Sequence, residues 1–180
     1  MGSTGVVTPN SPVVVVLPPP PSPPLAPLSE TASYQEINAQ GDEIVTFLQD
    51  EENTNEGSIP TTGTANYAGV AEFGDQGEDF VTVSQMALQA NFGDSSVSGR
   101  FYDFQAPDGA IEGEVLIDGQ VAGQDMTASL DGVVGGFAVQ GDLNGQFVGQ
   151  NVQGIVGNLS GSGFDDEGLF LFDGSFIGRR

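Results

Sequence analysis

From Ile59 to the C-terminus the chain keeps one habit: apolar and polar residues alternate in short runs between glycine-rich turns. A period of two sends successive side chains to opposite faces, as in a strand with one buried and one solvated side. "FAVQGDLNGQFVG" sets Phe137, Val139, Leu143 and Phe147 against Gln140, Asp142, Asn144 and Gln146. "TVSQMALQANF" places Met86, Leu88, Ala90 and Phe92 inward, with Gln85, Gln89 and Asn91 outward. The runs "TANYAGVAEF", "SVSGRFYDF", "AIEGEVLID", "QDMTASLD", "NVQGIVGNLS" and "GLFLFDGSFIG" read alike, giving eight strands. Their links are hairpin-length and several carry Asp-Gly, so antiparallel neighbours are predicted throughout.

Eight strands in hairpin succession leave two raw edges unless the sheet closes on itself. The fold class predicted is therefore all-β, an eight-stranded antiparallel up-and-down β-barrel whose interior is filled by side chains. Mid-strand glycines (Gly69, Gly99, Gly113, Gly141, Gly145 and Gly154) weaken strands but permit the coiling that closure needs. The second face carries Glu112, Glu114, Asp125, Asp142, Asn144 and Gln146, the reverse of a lipid-facing apolar band. Direct membrane insertion is not expected.

The region ahead of the barrel divides in two. Residues 1–28 are read as a disordered, Pro-rich spacer: seven prolines lie between Pro18 and Pro27, a composition that favours extended polyproline II and cannot build a core. The apolar run Val13 to Leu17 is too short for a signal core and lacks a basic flank. Residues 29–58 are read as a short helical segment followed by an acidic loop. Ser29 is the expected N-cap, Tyr34, Ile37, Ile44, Phe47 and Leu48 fall at helical spacing, and Gly41 is expected to break the run into two helices. Such an amphipathic piece is expected to cover an end or a face of the barrel domain, residues 59–180.

Charge limits the partners. There are 25 acidic residues against Arg100, Arg179 and Arg180, a net charge of -22, so nucleic acid is not an expected partner and self-repulsion favours a monomer. With no Cys and no His, thiolate and imidazole chemistry are excluded, and no cofactor is called for. Carboxylates cluster in "DEENTNEG" and "GFDDEG" without the spacing of a dedicated calcium loop, and no carboxylate pair stands out for acid–base work. A non-catalytic protein is expected.

"GRFYDFQAPDG" is the most unusual stretch, holding the interior Arg100 beside Phe101, Tyr102 and Phe104. Arginine and aromatics are enriched in binding hot spots, which makes Arg100, Tyr102 and Phe104 the candidate binding residues. Strand alternation puts these three on the face opposite Phe101. The competing reading makes the aromatics core and Arg100 a partner for a neighbouring carboxylate.

"LQANFGDSSVSGRF", "LNGQFVGQNVQGIVGNLSG" and "GTANYAGVAEF" resemble the barrel of transferrin-binding-protein-like surface lipoproteins, over roughly residues 60–180. The resemblance implies a bacterial cell-surface protein, anchored to the outer membrane by an N-terminal lipidated Cys, whose barrel loops take a host or environmental ligand. That ligand would be a protein or a small nutrient, iron included. This sequence has no Cys, so either the anchor residue precedes Met1 or the chain is not lipidated. A single barrel leaves no room for a handle domain, and transferrin itself is not the expected partner. Two other readings are an adhesive display module with no small ligand and, ranked last because the interior reads as filled, a lipocalin-like carrier of an apolar molecule.

Overall fold

The computed structural model describes residues 32–49, 59–75, 81–149, 151–165 and 168–180. Among these residues, eight strands follow one helix: α1 (Tyr34–Gln49), β1 (Thr64–Asp75), β2 (Val81–Asn91), β3 (Ser96–Ala106), β4 (Gly109–Ala122), β5 (Asp125–Val134), β6 (Phe137–Val148), β7 (Gly154–Asp165) and β8 (Gly168–Arg179). Each strand pairs antiparallel with the next, and β1 pairs with β8, so the sheet is a closed barrel with no free edge. Closure suits the alternation: every strand presents one apolar face, and a sheet rolled on itself buries all of them together while leaving no edge.

The interior is a column of large side chains. Met86, Phe101, Met126, Leu143, Phe147 and Ile155 are almost completely buried. Rings step along the axis: Phe92 to Phe147 (5.4 Å between centroids), Tyr67 to Phe147 (5.8 Å), Phe101 to Phe176 (6.5 Å), and Phe73 to Phe101 and Phe104 (5.4 Å each). Room for these rings comes from their cross-strand partners. Gly157, Gly161 and Gly163 of β7 lie opposite Phe176, Phe172 and Phe170 of β8. A methyl group at Gly157 would stand 2.5 Å from Phe176 Cε1, so ring and bare backbone fill one site between them.

The two barrel ends differ. The connections β2–β3, β4–β5 and β6–β7 share one end, and Val152 plugs it: its side chain is fully buried although its φ of 55° is a left-handed value that β-branched residues avoid. The Tyr67 hydroxyl donates to the Val152 carbonyl at 2.8 Å and fixes the plug. This is the plugged end. The connections β1–β2, β3–β4, β5–β6 and β7–β8 share the other.

Helix α1 lies on the outer wall across β2, β1 and β8, covering a face as expected. Ile37, Ala32, Val70 and Val83 form the seam, with Tyr34 and Ile177 packed against it. Two expectations are corrected. The helix runs unbroken through Gly41, because that residue is buried at the closest approach, where a Cβ would sit 3.0 Å from Val70 Cγ2. The intrinsic cost of a mid-helix glycine, about 1 kcal/mol, is offset by tight docking. The cap is Ser33: its hydroxyl (2.7 Å) and amide (2.8 Å) both donate to Glu36 Oε2, and these bonds hold the Glu36 carboxyl below its ordinary pKa. Ser29, the Pro-rich stretch 1–28 and the acidic loop 50–58 lie outside the described residues, as does the "DE" of "GFDDEG".

Candidate binding site

The three residues singled out in "GRFYDFQAPDG" do not share a face. Arg100 and Tyr102 point outward, whereas Phe104 is buried at 2% exposure, on the same side as Phe101. The pairing shifts register between Tyr102 and Phe104, and Asp103 between them has a left-handed φ of 53°. A bulge of this kind inserts one residue into the alternation and turns the rest of the strand over. Phe101 and Phe104 therefore both enter the core.

The bulge also builds a polar strip on the outer wall. Asp103 Oδ2 accepts from Gln85 Nε2 (2.8 Å) and from the Ala32 amide (3.1 Å), and Oδ1 accepts from Gln105 Nε2 (2.9 Å). Tyr102 donates to Gln85 Oε1 at 3.3 Å. The Arg100 guanidinium lies 4.7 Å from the Tyr102 ring centre and binds Glu114 at 2.7 Å, both side chains about half exposed. Gln85, expected in solvent, is thus an outward residue covered by its neighbours, and Asp103 ties the entry of α1 to β3. Nothing in the spacing of polar residues signalled Asp103; the three-residue step from Phe101 to Phe104 was the available sign of a phase slip.

Inside, Phe104 reaches the end opposite the plug. There the described residues leave a cavity of about 230 Å³, lined by Phe73, Phe104, Phe137, Phe170 and Phe172 with Leu130, Val134 and Asp165. Phe137 is 36% exposed, so the cavity reaches the surface, and this is the hollow end. The expectation of a filled interior holds for the plugged half and the middle, not here. On the outer wall beside it, Phe164 (67%), Leu169 (61%) and Leu171 are exposed, the first two paired across β7 and β8. A second depression of about 640 Å³ follows the seam of α1, lined by polar groups such as Asn38, Asp42, Glu72 and Asn158 as well as Val45 and Ile177. Among the described residues no group of three carboxylates could hold a metal ion, and no helix is long and apolar enough to cross a membrane.

The described residues form an eight-stranded closed antiparallel barrel, plugged at one end and hollow at the other. No protein-family model and no curated protein sequence matches the chain. Among solved structures it is similar to two mutant forms of the vaccine antigen transferrin binding protein B from Haemophilus parasuis Hp5. TM-scores are 0.51 and 0.52, with 16% and 17% identity over 71% of this chain and 28% of each of those. The barrel has a transferrin-binding-protein-B-like fold, and the chain spans less than a third of the length of the structures it resembles.

Proposed function

We propose that the protein is a non-catalytic binding module of a bacterial cell surface, engaging a host or environmental ligand through the hollow end of its barrel. The observation that carries this is the asymmetry of the two ends: one is plugged, the other combines a cavity with exposed Phe164, Leu169 and Leu171. An apolar surface kept in contact with water marks an interaction site. The fold supports the reading, since proteins similar to it are named for binding another protein. Arg100 and Tyr102 extend the site along the outer wall, and Phe104 forms its floor. The polar wall argues against a lipid-facing barrel. A lipid anchor upstream of the spacer, and a role in acquiring iron or another nutrient, complete the reading.

A surface-immobilised full chain, probed with iron-carrier proteins, haem and ferric chelates, tests this. One or more of these should bind, and Phe164→Ser with Leu169→Ser should weaken capture at least tenfold without lowering the melting temperature. Arg100→Ala or Tyr102→Ala should weaken it by a smaller factor. A panel with no binder, or capture indifferent to all four changes, would sink the proposal.

A further inference from the structure

The depression beside α1 and the exposed apolar cluster lie on one continuous strip of the outer wall. Along β8 the outward series runs Leu169, Leu171, Asp173, Ser175 and Ile177; along β7 it runs Phe164, Ser162, Ser160, Asn158 and Val156. Register sets these residues side by side, from Phe164 with Leu169 at one end to Val156 with Ile177 at the other. That second end opens into the depression of about 640 Å³, where Val45 of the helix is 39% exposed. Leu169 and Ile177 stand about 26 Å apart at the usual rise of a strand. Two apolar anchors thus close a strip whose middle is polar. Its carboxylates are Asp42 and Glu72 at the depression and Asp173 between the anchors, all exposed. Among the described residues that form the strip and the depression there is no base, and Arg179, beyond its end, is stacked on Phe47. The closed sheet offers no backbone edge, so an extended segment laid here would find no ladder to join. A helix carries its own backbone hydrogen bonds. This wall already accepts one, since α1 packs Ile37 against Val70 and Val83.

We propose that the strip along β7 and β8 docks a basic amphipathic helix of a partner protein, packed beside α1. One apolar anchor of that helix enters the depression between Val45 and Val156, and a second rests on Phe164 and Leu169. Lysine or arginine beside the anchors faces Asp42, Glu72 and Asp173. A helix that spans about 26 Å needs about 17 residues. This deepens the binding-module reading by giving its partner a chemistry, and rests on it. The two anchors set the register of the docked helix, and the carboxylates reject an acidic one.

Fluorescence anisotropy of labelled peptides with the full chain tests this, at about 0.15 M salt, where long-range attraction is screened. The probes are an amphipathic helix of about 18 residues built from Leu, Ala and Lys, the same helix with Glu for Lys, and a scrambled Lys peptide without the apolar stripe. The Lys helix should bind, the scrambled peptide about tenfold more weakly, and the Glu helix not at all. Val45→Ser, and Phe164→Ser with Leu169→Ser, should each weaken the Lys helix several-fold at an unchanged melting temperature. Glu72→Gln with Asp173→Asn should weaken it more than Asp118→Asn with Asp142→Asn, which removes equal charge from β4 and β6. Equal losses from the two acidic pairs, or binding indifferent to Val45→Ser, overturn the proposal. If the Lys helix fails to bind while Phe164→Ser and Leu169→Ser still weaken capture on the immobilised chain, the partner class falls and the binding module stands.

Discussion

Burial holds the Tyr67 phenol neutral well above the usual range, with the Arg180 charge opposing the shift. In the unfolded chain the same phenol ionises near 10.0. The folded state keeps its proton there, so above that pH the unfolded state gains by releasing it. Stability from this residue is complete below pH 10.0 and declines as pH rises beyond it. Denaturant melts across that range should show the decline, and Tyr67→Phe should remove Tyr67's share of it. At neutral pH the same change should cost about 1–2 kcal/mol, because the buried Val152 carbonyl loses its donor. Urea midpoints of the two proteins at pH 7 and pH 11 measure both effects. A variant whose stability falls with pH as steeply as the parent's would mean that Tyr67 ionises within the fold.

At the scale of elements, β7 and β8 divide their volume unequally, glycine opposite phenylalanine. Glycine to alanine within a strand ordinarily gains about 0.5–1 kcal/mol by restricting the unfolded chain. At Gly157 the added methyl meets both the Phe176 ring and the Asn144 carbonyl, and overpacking of that kind costs about 1–3 kcal/mol. The loss outweighs the gain, so Gly157→Ala should lower the melting temperature; a rise would show that ring and backbone adjust freely. The strands themselves were legible because alternation is a local property written into each run. What misled was non-local. Gly41 reads as a breaker until Val70 is seen against it. Phe104 reads as surface until the bulge at Asp103 turns it inward. The hollow end was equally out of reach: the inward phenylalanines read as filling, and only the register sets Phe170 and Phe172 against Gly163 and Gly161 beside the cavity.

For the whole molecule, charge is the dominant feature. A net charge of -22 on 180 residues opposes compaction everywhere on the outer wall. Raising salt from about 0.01 M to about 1 M shortens the screening length from about 30 Å to about 3 Å. The melting temperature should therefore climb with sodium chloride before any specific-ion effect enters, and differential scanning calorimetry at graded salt would record it. A flat or falling curve would mean that local pairs such as Arg100–Glu114 outweigh the general repulsion. Closure of the sheet adds a constraint of timing. Because β1 bonds to β8, the first strand stays unpaired on one side until the last has been made, and Arg179, stacked 4.1 Å over Phe47, completes the helix contact in the same step. A ribosome must release every residue through Arg179 before the barrel can close. Until then the polypeptide has no closed sheet, and it is still narrow enough to be passed through a pore.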